Sequence, residues 1–334
     1  MKFFFFLFIL FTFYFQSLNA QTNDSESESI KNKIELERVS RNIINALRYG
    51  KFALADTEWK KIQSENFKLY AEYDYLGGSL LYTRLEWPEA KELLNKSLRK
   101  EPNHEAASFL LGMIYAQEDN WNEAKETWIE TNQISPYNPF YHYNLGLSYF
   151  ILKDYKNAIL SLSKSLEYKP NYAEAKFLLS KTYLELNELE KAKSEISSVL
   201  EVDPKNMPAS NLMGRVVYLI EKDPKKALSF LKNDRTLGWR ERKIYARCYF
   251  EVRRWREAEL MFKSVAYSPF ADEYDKSFYL NLLLNLGYEE RANDFFHFAQ
   301  KTSENDSKIA EAYRMLLTSR EGKVLLYNYF KLRY

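Results

Sequence analysis

The chain has 334 residues, of which 46% are hydrophobic and 28% are charged, and its formal net charge is +2. This near-neutral balance gives no general electrostatic reason to bind nucleic acid or an anionic membrane surface. None of the three histidines stands at metal-ligand spacing from another donor, and the single cysteine, Cys248, excludes a disulfide within this sequence. We therefore predict no metal, no cofactor and no catalytic residue, and we expect Cys248 to be a buried apolar residue.

The N-terminal residues have the pattern of a secretory signal. Lys2 precedes an apolar run from Phe3 to Phe15, and the segment ends at Ala20. The run is too short for a comfortable bilayer span, so we expect residues 1–20 to be a cleaved signal peptide. Leu18 occupies a place where cleavage sites usually carry a smaller residue. The alternative therefore stays open that residues 3–15 anchor an uncleaved chain in the inner membrane.

Two segments separate this signal from the regular part of the chain. Residues 21–29 are polar and acidic without an apolar period, so we predict a disordered linker. Residues 30–70 are predicted to form a degenerate first repeat with a turn at Gly50. Its expected apolar helical positions are Ile34, Val39, Ile43, Ile44, Phe52, Ala55 and Trp59.

Residues 71–206 repeat four times with a period of 34 residues. Prolines keep this period at Pro102, Pro136, Pro170 and Pro204. Alanines keep it at Ala90, Ala124, Ala158 and Ala192, and small residues at Gly78, Gly112, Gly146 and Ser180. Each unit has two runs of apolar residues at helical spacing, which predict two helices of about 14 residues joined by a polar turn. A fixed period of this size is typical of stacked repeats that bury one continuous core together.

The residue types at these positions resemble the tetratricopeptide repeat family. One unit carries the family pattern at Leu111-Gly112, Tyr115, Ala124, Trp128 and Pro136, and the next carries it at Leu145-Gly146, Tyr149, Ala158 and Pro170. The resemblance implies an all-α fold, a right-handed α-solenoid of stacked antiparallel helix pairs, and a protein-binding scaffold without catalysis. Co-chaperone members hold a C-terminal carboxylate with a fixed set of Lys, Asn and Arg, of which only Asn144 is matched here. We do not expect that activity.

The period is disturbed after the fourth regular unit and then resumes. Residues 207–238 are predicted to form an irregular repeat, because Ala227 comes one residue late. Residues 239–306 are predicted to be two further units, with Gly287 in a turn. Residues 307–334 are predicted to cap the chain, and their last part stays open between a helix and a strand.

Candidate ligand-binding residues follow from the resemblance, because the first helices of successive units line a concave groove in this family. The fifth residue of each regular unit is aromatic, and basic residues follow on the same helical face toward the C-terminal half. The candidates are Tyr75, Phe109, Met113, Tyr143, Leu147, Phe177, Lys181, Arg215, Lys243 and Arg247. An apolar groove usually marks a peptide site, and the basic half would suit acidic groups. Two alternatives stay open, namely aromatic residues packed between helices and a basic face that is merely solvated.

The predicted function is a non-catalytic protein–protein interaction scaffold that binds an extended polypeptide in its concave groove. Together with the signal pattern, the composition suggests export to the periplasm or outer membrane of a Gram-negative-type bacterium. The partner is expected to be a protein or peptide and not nucleic acid, and peripheral membrane association stays open. The alternative function is an assembly or regulatory subunit of an envelope complex that uses its convex face or its ends.

Overall fold

The computed structural model describes residues 28–231 and 237–302. The predicted signal peptide, the linker up to residue 27 and the predicted cap at residues 307–334 lie outside the described residues. The described part is all-helical and contains no strand, which confirms the all-α prediction. The chain divides into two compact units, Met1–Pro170 and Asn171–Tyr334.

The N-terminal unit consists of helix pairs that follow one another along the chain. Its helices are α1 (28–48), α2 (Phe52–Trp59), α3 (Ala71–Thr83), α4 (Trp87–Lys100), α5 (Glu105–Gln117), α6 (Trp121–Ile134), α7 (Pro139–Ile151) and α8 (Tyr155–Tyr168). Two short 3-10 turns, Lys60–Ile62 and Phe67–Leu69, follow α2.

The C-terminal unit is built in the same way. Its helices are α9 (Ala173–Glu185), α10 (Leu189–Val202), α11 (Met207–Glu221), α12 (Pro224–Ser229), α13 (Trp239–Glu251), α14 (Trp255–Ala266), α15 (Glu273–Asn285) and α16 (Glu289–Lys301). We call the odd-numbered helix of each pair its first helix. Among the described residues, no helix is both long enough and apolar enough to cross a membrane.

The helices follow the sequence period closely. First helices begin at the first residue of each predicted regular unit, which are Ala71, Glu105, Pro139 and Ala173. Each pair turns at a residue with positive φ, and these residues are Gly50, Leu85, Asp119, Lys153, Asn187, Lys222, Arg253 and Gly287. In the turn after α5, the Asn120 amide donates to the Tyr115 carbonyl at 2.8 Å, which is the hydrogen bond of a Schellman helix end. The left-handed residue therefore ends one helix and lets the next run back antiparallel.

Small residues let the two helices of a pair come close together. A Cβ atom on Gly112 would lie 2.4 Å from Nε1 of Trp128, and one on Gly146 would lie 2.8 Å from Cγ of Leu162. Trp128 is fully buried, and its Nε1 donates to the Phe109 carbonyl at 3.3 Å. The repeated glycine is therefore required by a contact with a large side chain on the second helix.

The irregular repeat keeps this contact but takes the large side chain from another helix. Helix α11 ends at Glu221 and is followed by Lys222, which has φ +54, and α12 ends at Ser229. The space beside Gly214 is filled by Tyr245 of α13, whose hydroxyl would lie 2.0 Å from an added Cβ atom. The Tyr245 hydroxyl donates to the Asn211 carbonyl at 2.8 Å. The shortened second helix thus brings α13 directly against α11.

The first helix pair differs from its prediction at the ends. Helix α1 already includes residues 28 and 29, which we assigned to the linker. Val39, Ile43 and Ala55 are buried as expected, but Ile34 and Phe52 are exposed. These two side chains were predicted to be apolar helical positions of the core. An end pair has a neighbour to pack against on one side only, so its outward positions need not be covered.

A Gly112→Ala substitution should lower the free energy of unfolding by about 1–3 kcal/mol, because the added methyl group would overlap the Trp128 ring. Helix propensity acts in the opposite direction, since alanine is favoured over glycine by about 1 kcal/mol. Urea unfolding followed by circular dichroism measures the difference. Gln117→Ala, at the exposed end of the same helix, is the control. A more stable Gly112→Ala variant would contradict the close approach of α5 and α6.

Candidate functional site

The predicted aromatic residues of the N-terminal unit are half-buried between neighbouring helix pairs. The Tyr75 ring lies 5.0 Å from the imidazole of His104, which precedes α5. The Phe109 ring lies 4.8 Å from Tyr141 of α7 and 6.3 Å from Trp128 of α6. These contacts favour the packing alternative for Tyr75 and Phe109 over an open aromatic surface.

The remaining apolar candidates also lie in half-buried positions. Tyr143, Leu147 and Met113 are all half-buried, and Met113 packs against the core cluster that contains Trp128. In the C-terminal unit, Phe177 packs against a core cluster and the Nζ atom of Lys181 lies 5.9 Å from the centre of its ring. These side chains contribute to the packing of each unit and leave only part of their surface to a ligand.

A polar network links three first helices of the N-terminal unit. The Ser40 hydroxyl in α1 donates to the Glu72 carboxylate in α3, and Nε2 of His104 lies 3.0 Å from the other oxygen of Glu72. Nδ1 of His104 accepts a hydrogen bond from the backbone amide of Ala107 at 3.2 Å, and His104 thereby caps the N-terminus of α5. Because Nδ1 accepts a hydrogen, the neutral ring carries its proton on Nε2 and donates it to Glu72.

The charges and hydrogen bonds of this network shift the pKa values of His104 and Glu72. Burial disfavours a charged imidazole, and protonation of Nδ1 would break its hydrogen bond with the Ala107 amide, but the hydrogen bond and the negative charge of Glu72 outweigh these effects and raise the pKa of His104. Burial likewise disfavours the carboxylate, but hydrogen bonds from His104 and Ser40 outweigh it and lower the pKa of Glu72. The ion pair therefore stabilises the fold at pH values above the pKa that Glu72 has in the unfolded chain. This stabilisation is lost as the pH rises through the pKa that His104 has in the folded chain.

The C-terminal unit contains a cleft of about 190 Å³ between its first helices. Helices α11, α13 and α15 supply most of its walls, and α14 supplies one side chain. The lining residues are Arg215, Leu219, Trp239, Arg240, Lys243, Ile244, Arg247, Phe262, Tyr274, Asp275 and Phe278. Three predicted candidates, Arg215, Lys243 and Arg247, are thus brought together, whereas Lys181 and Phe177 are not among the lining residues.

Acidic side chains from other helices balance the basic residues of this cleft. Nη1 of Arg215 lies 3.0 Å from Glu241, and Nζ of Lys243 lies 2.7 Å from Asp275 and 3.6 Å from Asp272. Burial of Asp275 raises the pKa of its carboxyl, although Lys243 opposes that change. The strongly basic groove that we expected from the local sequence is therefore largely neutralised by ion pairs.

Trp239 and Arg240 are cleft residues that our sequence analysis did not select as binding residues. The Trp239 side chain is 43% exposed, and the Arg240 guanidinium and the Lys243 ammonium lie 5.1 Å and 5.3 Å from its ring centre. Arg240 also pairs with Glu185 at the end of α9. An aromatic residue at the start of a repeat is the sequence signal that could have identified Trp239.

Other candidate reactive groups do not form a site. Cys248 is fully buried, and burial raises the pKa of its thiol to about 12, which keeps it protonated and unreactive. This agrees with the prediction of a buried apolar residue. Within residues 28–231 and 237–302, no group of three or more His, Cys, Asp or Glu side chains is arranged to hold a metal ion.

Comparison with known proteins identifies the repeats. Two tetratricopeptide repeat family models match residues 75–139 and 149–216. The chain is similar to PilF of Pseudomonas aeruginosa, at 18% identity and a TM-score of 0.54, over 60% of this chain and 90% of that one. No curated protein matches the chain. The family matches indicate a protein–protein interaction scaffold whose partners are proteins or peptides, and the PilF likeness shows the fold alone.

Two other solved structures are similar to part of this chain. YrrB, described as a TPR protein with an unusual peptide-binding site, is 25% identical with a TM-score of 0.45, over 50% of this chain and 85% of that one. MamA from Desulfovibrio magneticus RS-1 is 21% identical with a TM-score of 0.46, over 48% of this chain and 90% of that one.

A Glu72→Gln substitution should lower the pKa of His104, because it removes the negative charge that favours the imidazolium. An NMR titration of the imidazole resonances measures this change. The wild-type midpoint should lie above the usual value of about 6.5. The exposed Glu89→Gln variant is the control and should leave the midpoint unchanged. An equal midpoint in Glu72→Gln and wild type would contradict the ion pair.

Proposed function

Because the chain is a tetratricopeptide repeat protein, we propose that it is a non-catalytic scaffold of the cell envelope that binds an extended polypeptide. The proposed binding surface is the groove lined by the first helices of successive pairs. The observation that carries the proposal is the cleft of the C-terminal unit, to which α11, α13 and α15 each contribute side chains. A ligand lying across these three helices would contact successive repeats.

The size and lining of the cleft support a polypeptide ligand. Sites for small molecules usually enclose about 300–1,000 Å³. A cleft of about 190 Å³ is better suited to one or two side chains of a longer chain. Its walls combine apolar surfaces, such as Leu219 and Ile244, with charged groups held in place by ion pairs. Apolar pockets with fixed polar groups give both affinity and register to a bound peptide.

The envelope location is proposed from the sequence of residues 1–20. If this segment is a cleaved signal, the chain expressed in a Gram-negative host should be recovered from the periplasm or outer membrane with Gln21 at its N-terminus. Intact-mass spectrometry of the fractions measures this. A full-length chain in the inner membrane would support the anchored alternative, and a full-length chain confined to the cytoplasm would contradict export.

A second candidate function uses the surface of the second helices. In the C-terminal unit, Leu260 of α14 is exposed, with 72% of its surface open to solvent. A protein partner that covers an exposed apolar side chain removes apolar surface from water, which favours association. An assembly or regulatory subunit that binds a folded partner through this surface is therefore the alternative to groove binding.

Site-specific photo-cross-linking distinguishes the two functions. A benzoylphenylalanine in place of Trp239 probes the cleft, and one in place of Leu260 probes the second-helix surface. Groove binding predicts a cross-link from position 239 to a single extended segment of a partner, mapped by mass spectrometry, and none from position 260. The synthetic segment should then bind the purified chain. The reverse pattern of cross-links would contradict groove binding and support the alternative.

A further inference from the structure

The mouth of the cleft in the C-terminal unit has an uneven distribution of exposed charge. The Arg240 side chain is 43% exposed and lies beside the equally exposed Trp239. Beside Trp239 and Arg240 the balancing acids lie deeper, since the side chains of Glu185 and Glu241 are 13% and 17% exposed, whereas Asp272 beside Lys243 is 52% exposed. Although the ion pairs neutralise the cleft overall, the charge that a ligand meets first at the Trp239–Arg240 end is therefore positive.

The guanidinium groups retain donor capacity after their internal pairs are formed. Arginine has five N–H donors and no acceptor. The ion pair of Arg240 with Glu185 and that of Arg215 with Glu241 each run through Nη1. The half-exposed Arg240 thus presents its other donors toward solvent, where a second carboxylate can accept them. Such charge-assisted hydrogen bonds are stronger than those between neutral groups.

The apolar side chains next to Arg240 indicate what the ligand carries besides a carboxylate. The exposed Trp239 ring, Leu219 and Ile244 all line the same cleft. Covering the exposed ring with an apolar side chain removes both surfaces from water. A cationic side chain would instead meet Arg240 and Lys243, which both lie within about 5 Å of the Trp239 ring.

We infer that the cleft is an anchoring site for a polypeptide segment in which Asp or Glu stands beside a large apolar side chain. The apolar side chain packs on Trp239, and the carboxylate accepts hydrogen bonds from Arg240. This inference rests on the proposed groove-binding function and names the chemistry of its ligand. The Glu185–Arg240 pair holds the guanidinium in place and competes with the ligand for it.

The test uses a random dodecapeptide phage library as its probe, panned on the full purified chain. Enriched peptides should carry Asp or Glu within two positions of Leu, Phe or Trp. The dissociation constant of one enriched peptide is then measured by calorimetry for wild type, Trp239→Ala, Arg240→Gln, Glu185→Gln and the exposed control Leu260→Ala. Circular dichroism verifies that each variant is folded.

The decisive result is that substitutions of the paired residues Arg240 and Glu185 affect binding differently. Arg240→Gln and Trp239→Ala should each weaken binding by about tenfold or more, because each removes a direct contact. Glu185→Gln should leave binding unchanged or tighten it, since it releases the guanidinium from its internal partner. A purely structural role of the ion pair would make Glu185→Gln and Arg240→Gln weaken binding alike, which would overturn the inference.

Failure of the inference and failure of the proposed function give different results. Enriched peptides that are basic or uncharged, yet lose affinity with Trp239→Ala, would refute the acidic ligand and leave groove binding in place. Peptides that bind all cleft variants equally and lose affinity only with Leu260→Ala would refute both. A library that yields no enriched peptide also counts against both.

Discussion

The close approach of two antiparallel helices at a small residue is the constraint on which the rest of the structure depends. Gly78, Gly112 and Gly146 each face a large side chain of the second helix, and an added Cβ atom would lie under 3.0 Å from it. Ser180 holds the same place in the next repeat, and its hydroxyl donates to the Ala192 carbonyl at 3.1 Å. This contact fixes the spacing within a pair, and the spacing determines where the next pair can pack.

The cleft of the C-terminal unit is a consequence of the same constraint in a disturbed repeat. Helix α12 ends at Ser229, so the large side chain that must face Gly214 comes from Tyr245 of α13. This brings the first turn of α13, with Trp239, to the side of α11 that carries Arg215. The irregularity that makes the repeat a poor match to its neighbours therefore also builds a cleft where apolar and charged groups converge.

Periodic features could be predicted from the sequence because each recurs for a local reason. The helix starts, the turn at Gly287 and the small residue at Gly112 all follow from hydrogen bonds or contacts within one pair. Ion pairs could not be predicted in the same way. Asp275 and Glu185 pair with Lys243 and Arg240 from other helices, so the basic residues on one helical face indicated a more basic groove than the structure has. Trp239 was missed because the period requires no particular residue at the start of a repeat.

Tyr75 and Phe109 differ from Trp239 in how much of their ring surface the neighbouring helices cover. Tyr75 and Phe109 have aromatic neighbours from the next helix pair, so much of their apolar surface is already buried in contacts between repeats. Trp239 is flanked by cations and keeps much of its ring exposed. An exposed ring with fixed neighbours loses little conformational freedom when a ligand covers it, so more of the contact energy remains as affinity.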